Sequence, residues 1–100
     1  MARLIWTEPA LEDLRGIVDY IALDKPSVAK AYAKEVFSRV ERLEMFPDSG
    51  KWLEELPDGH YRELIVKPSR IIYRLDGPEV VIFHVCRGER LIDTDLLSYR

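Results

Sequence analysis

The sequence has a single cysteine, Cys86, only two histidines, and no apolar run long enough to cross a bilayer. One thiol forms no internal disulfide, and without Cys/His ligand spacing a structural zinc site has no basis. A reducing, cytoplasmic setting is the expectation. Gly-rich phosphate loops, a Ser/His/Asp order and metal motifs do not occur, so no cofactor and no metal are expected. A surplus of bases is also missing: the formal charge is −3, which provides no global field to hold a polyanion. With no helix-turn-helix signature either, direct DNA binding by this chain alone is not expected. Met1 to Trp6 meets charge and proline by Pro9, too soon for a signal sequence or a membrane span.

What is present is enough for a core. Of 100 residues, 47% are hydrophobic and 33% charged, a balance that excludes disordered and collagen-like classes. Residues 1–100 read as one domain. A domain of this size buries roughly 60 to 70% of its unfolded-chain surface, so a partner can add stability that the core does not supply.

Periodicity divides the chain in two. Arg3 to Thr7 is rich in strand formers. Thr7 is placed to cap a helix whose first turn holds Glu8, Pro9, Glu12 and Asp13, since proline loses nothing there and acids favour the positive helix end. Leu11, Leu14, Ile17, Val18 and Ile21 recur at helical spacing to about Ala22. Gly16 weakens that helix and is read as permitting a close neighbour. A second helix starts after Asp24 or Ser27 as cap, with Pro26 near its first turn. Its apolar side is Val28, Tyr32, Val36, Val40, Leu43 and Phe46, widened by Ala29, Ala33 and Phe37. It ends before Pro47-Asp48-Ser49-Gly50, and the two helices form a hairpin with a broad apolar face.

Beyond Gly50 the period falls to two. Trp52 to Leu56 reads as short and irregular or extended. Tyr61 to Val66, Arg70 to Leu75 and Val80 to Arg87 read as strands joined by tight links, hence an antiparallel meander. Leu64 and Val66 face one way, Tyr61, Glu63 and Ile65 the other. One side of the meander receives the helix hairpin, giving two layers. Asp93 is placed to cap a final turn, a short C-terminal helix or tail.

Six of the seven bases after Gly59 are arginine: Arg62, Arg70, Arg74, Arg87, Arg90 and Arg100. The planar guanidinium suits bidentate recognition of carboxylate or phosphate. Alternation is expected to bring Arg62, Arg70, Arg87 and Arg90 toward one sheet face or rim. The plainer reading pairs these arginines with Glu63, Asp76, Glu79 and Glu89 on a solvated face. His84 reads as packed or hydrogen-bonded, Cys86 as a small core residue, and Glu54 and Glu55 as pointing apart.

Tyr61-Arg62-Glu63-Leu64-Ile65-Val66, Pro68-Ser69-Arg70-Ile71-Ile72-Tyr73-Arg74 and Val85-Cys86-Arg87-Gly88-Glu89-Arg90, with the opening strand and Thr7-Glu8-Pro9-Ala10, resemble the ParE/RelE superfamily of type II toxins over almost the whole chain. The resemblance implies a compact α+β fold, a β-α-α unit packed on the meander. It also implies a toxin neutralised in a hetero-oligomer by a cognate antitoxin that lies in apolar grooves beside the helices. In the RelE-like branch, which cleaves messenger RNA at the ribosome, basic residues and a proton-transfer residue near the C-terminal end are needed. Here Arg70 matches the hairpin arginine and Arg62 a preceding basic position, but Leu91 to Asp95 offers no tyrosine or histidine before Tyr99. The ParE-like branch, which the resemblance associates with poisoning DNA gyrase, needs binding residues only. It implies Arg62, Arg70, Arg87, Arg90 and Tyr99 as target contacts and no catalytic residue. The alternatives are the ribosome-dependent endoribonuclease and a binding module of the same fold without toxicity.

Overall fold

The computed structural model describes residues 1–57 and 59–88. Its elements are β1 (Arg3–Trp6), α1 (Glu8–Ala22), α2 (Pro26–Glu41), a 3-10 turn (Arg42–Glu44), β2 (Lys51–Trp52), β3 (Tyr61–Val66), β4 (Ser69–Asp76) and β5 (Glu79–Arg87). The strands form one sheet in the order β1-β5-β4-β3-β2. The meander β3-β4-β5 is antiparallel, as the alternation predicts. β1 joins it parallel to β5, with Leu4 opposite Val80 and Trp6 opposite Ile82. The sheet is therefore mixed, and its central strands, β4 and β5, are the ones apolar on both faces.

Thr7 performs the expected capping and one task more. Its hydroxyl oxygen accepts from the Ala10 amide at 3.3 Å and its hydroxyl donates to the Ile82 carbonyl at 2.8 Å, so the start of α1 is tied to β5. The expected cap of α2 is corrected. Neither Asp24 nor Ser27 caps it; Pro26 opens the helix, and Lys25 holds the cap position with non-helical backbone (φ −136°, ψ 87°) and no side-chain bond. Proline bars its predecessor from helical angles. Gly16 meets nothing within 4 Å, so no close neighbour explains it.

Both helices cover one face of the sheet. Ala10, Leu14, Tyr32, Val36, Val40 and Leu43 pack on Leu64, Val66, Ile71, Tyr73, Val80, Ile82 and Val85. Each fully buried large aliphatic side chain contributes about 1.5–3 kcal/mol. The stripe on α2 is narrower than expected: Phe37 and Phe46 remain 47% and 58% exposed. Phe37 touches the Trp6 ring, centroids 5.3 Å apart, whereas Phe46 follows the 3-10 turn that rotates it off the stripe. A smaller cluster of Leu53, Ile72 and Phe83 lies on the opposite face, covered by residues 53–56.

The link between the helices and β2 is pinned from below. The Tyr73 hydroxyl donates to the Pro47 carbonyl at 2.8 Å and accepts from the Gly50 amide at 2.9 Å. A Cβ on Gly50 would lie 2.5 Å from that hydroxyl oxygen and 2.8 Å from the Glu63 carbonyl oxygen. Gly50→Ala is therefore expected to cost about 1–3 kcal/mol, by overpacking. Urea unfolding followed by circular dichroism checks it; a loss within error of zero would show that the link relaxes freely.

Candidate functional site

Strand register decides where the sheet arginines go. Arg62 pairs with Tyr73 and Arg87 with Ser69, so both share the helix-covered side of the sheet, but at opposite ends of the strands. Arg70 pairs with Ile65 and Cys86 and projects from the other face. The expected gathering of Arg62, Arg70 and Arg87 on one face or rim is thus corrected. Arg90 and Tyr99 lie outside the described residues.

Each described arginine has its own surroundings. Arg62 donates through Nη1 to the carbonyls of Asp48 and Gly50, at 3.1 and 2.9 Å, and its guanidinium stacks 3.9 Å from the Trp52 ring centroid. It braces the link before β2. Arg87 is exposed and lies 5.2 Å from the Tyr20 ring centroid on α1. Arg74 pairs with Asp76 at 2.9 Å and lies 4.9 Å from the Phe83 ring centroid.

Arg70 is buried, and it is doubly paired. Its Nη1 and Nη2 donate to the two carboxylate oxygens of Glu55 at 2.7 and 2.9 Å; its Nη2 and Nε donate to those of Glu63 at 2.8 and 3.3 Å. The three side chains are only 9, 14 and 8% exposed. Hydrogen bonding to Glu55, then to Glu63, makes the guanidinium hold its proton even more firmly than usual. Two carboxylates against one cation leave a formal charge of −1 where the sequence suggested a positive platform. Glu63 could be anticipated as a partner from alternation. Glu55 could not, because it arrives from the turn after β2.

Two further groups sit close by. His84 Nδ1 lies 2.6 Å from Asp13 Oδ2, which also accepts from the Val85 amide at 3.2 Å. β1 ends opposite Ile82, so α1 supplies through Asp13 a partner that the sheet no longer offers. His84 is thus packed and hydrogen-bonded, in line with its sequence reading. Cys86 is half-buried, and burial pushes its thiol above the ordinary range despite the lowering influence of Arg70. It is therefore expected to alkylate with iodoacetamide at about pH 8 roughly tenfold more slowly in the native chain than in urea. Equal rates would contradict that burial.

On the helix side, a cleft of about 160 Å³ is lined by Arg39, Arg42, Phe46, Ser49 and Leu64. Arg39 reaches Glu35 only at 3.9 Å. Among the described residues, no group of three or more His, Cys, Asp or Glu could hold a metal ion, and no helix is long and apolar enough to cross a membrane.

The family model described as ParE toxin of type II toxin-antitoxin system, parDE, matches residues 4–92. The chain belongs to the ParE toxin family. Among curated relatives, Toxin ParE3 of Caulobacter vibrioides is 36% identical over 89 residues, covering 88% of each chain. Toxin RelE2 of the same organism is 34% identical over 89 residues, covering 87% of this chain and 92% of its own. A solved structure titled as a chromosomal ParDE system from P. aeruginosa superposes with a TM-score of 0.76 at 26% identity, covering 89% of this chain and 98% of that one. The α+β arrangement described above is therefore the ParE fold, and this ParE-family chain is a toxin of the type II toxin–antitoxin class.

Proposed function

We propose that this toxin arrests growth by gripping a macromolecular target, DNA gyrase, without breaking a bond itself. A cognate antitoxin neutralises it in a cytoplasmic hetero-oligomer. The observation that carries the reading is the Glu55–Arg70–Glu63 cluster. Cutting RNA requires a cation for the growing charge on the phosphate, and groups that take and return a proton. On the sheet face away from the helices the cation is occupied by two carboxylates, those carboxylates are held by it, and burial favours the neutral form of the Cys86 thiol. That arrangement favours binding over catalysis.

Arg70 is buried between its two carboxylates and Arg62 braces the link before β2, so neither is offered as a target contact. Arg87 is exposed at the end of β5 and therefore accessible to a target, with Arg90 and Tyr99 following it in the sequence. For the antitoxin, the cleft beside α2 is apt. At about 160 Å³ it is half the ~300 Å³ at which pockets begin to take small molecules. It suits single side chains of an extended polypeptide, and exposed Phe46 supplies an apolar contact at its edge.

The test is a gyrase supercoiling assay with the purified chain, with and without the protein encoded beside its gene. Supercoiling is expected to fall as toxin approaches the gyrase concentration, and to recover when that partner is added first. Unimpaired supercoiling at saturating toxin would reject gyrase as the target.

A further inference from the structure

The end-on fork of Arg70, formed by Nη1 and Nη2, is the geometry with which arginine grips a phosphate or a carboxylate. Here the fork is filled by Glu55, while Glu63 takes the guanidinium from its side, through Nε and Nη2. The two carboxylates have different origins. Glu63 stands on β3, two residues from Ile65, the β3 partner of Arg70, and orients the guanidinium. Glu55 belongs to the turn after β2, which lies over the open face and presents its side chain from outside.

We propose that Glu55 and Glu63 are specificity determinants that close a latent phosphate site on the open sheet face, Glu55 acting as its resident occupant. The ligand excluded is the phosphodiester of single-stranded nucleic acid. Charge supports the choice of ligand. With both carboxylates in place the cluster is formally −1 and repels a phosphate. With both neutralised it becomes +1, and Lys51 lies on the strand beside Glu63, directly opposite it in register. The inference rests on the reading above in one respect: a toxin that binds protein gains from a face that ignores RNA.

The experiment titrates the full-length chain with inorganic phosphate and with a short single-stranded RNA oligonucleotide. It compares wild type, Glu55→Gln and Glu55→Gln/Glu63→Gln, reading the Arg70 Nε–H resonance by NMR and oligonucleotide affinity by fluorescence anisotropy. Glutamine preserves size and keeps one acceptor oxygen toward Arg70 in place of two; circular dichroism reports whether each variant folds, and the single variant, which keeps Glu63 as counter-ion, stands in if the double one is unfolded. Phosphate should leave the wild-type Arg70 resonance in place and move it in the variants. Oligonucleotide affinity should rise about tenfold in the double variant, with a log–log salt slope steeper by about one per new phosphate contact. Equal affinity in wild type and folded variants overturns the proposal, as does phosphate binding that moves other resonances and not that of Arg70. Growth arrest by the wild-type chain, measured in parallel, reports on the toxin reading separately. A wild type that binds no RNA and arrests no growth would sink that reading and leave this one standing.

Discussion

Arg70→Ala is expected to lower the unfolding free energy by about 3–5 kcal/mol, because it strands two buried carboxylates opposite each other without a counter-ion. On a total stability of about 5–15 kcal/mol, this is a large share. The paired geometry explains the size: four charge-assisted bonds disappear at once, and Glu55 and Glu63 are too enclosed for water to replace them fully. A control identifies the cause. Replacing the whole triad, Arg70→Met with Glu55→Gln and Glu63→Gln, should recover most of the loss, since exchanging a complete buried ion cluster for uncharged groups is often neutral or better. Urea unfolding of both variants checks it. A single-variant loss below about 1 kcal/mol would mean that the cluster is wetter and looser than its distances indicate.

The second large effect concerns activity. Arg87→Ala combined with Arg90→Ala should abolish growth arrest on induction while leaving the unfolding midpoint nearly unchanged. Arg87 is exposed and lies 5.2 Å from the Tyr20 ring centroid, and an exposed cation–π contact is worth about 0.5–1 kcal/mol. At a protein interface, by contrast, a central arginine can carry 2 kcal/mol or more. Colony counts after induction, beside thermal melts of the purified variant, give the comparison. Full arrest by a folded double variant would remove this end of β5 from the target contact.

Local pattern and long-range placement were legible to different degrees. Tyr61–Val66 is read from alternation to the residue, and Thr7 as a cap from its place before Glu8-Pro9, because both depend on neighbours in the chain. The mixed character of the sheet is not local. Only the completed topology shows that β1 lies parallel to β5. The dispersal of the arginines is likewise a matter of register. Ser69 opposite Arg87 sends Arg87 to the helix side, Arg70 one residue after Ser69 goes to the other face, and Tyr73 opposite Arg62 returns Arg62 to the helix side. Alternation holds along β3, but an irregularity opposite Ile72 and Tyr73 breaks it within β5, and the phase between strands is not available from it. Glu55 is the clearest case. It lies fifteen positions from Arg70, in a turn whose path is set by Leu53 packing on Ile72 and Phe83, so no spacing rule points to the pair.

The most direct test of the account's central claim, that this toxin binds and does not cut, is primer extension on messenger RNA in a translating extract supplied with the purified chain. The account predicts transcripts as intact as in the untreated extract at toxin concentrations that arrest growth. New reverse-transcription stops at translated codons, present with the wild-type chain and lost in a folded Arg70 variant, would contradict it.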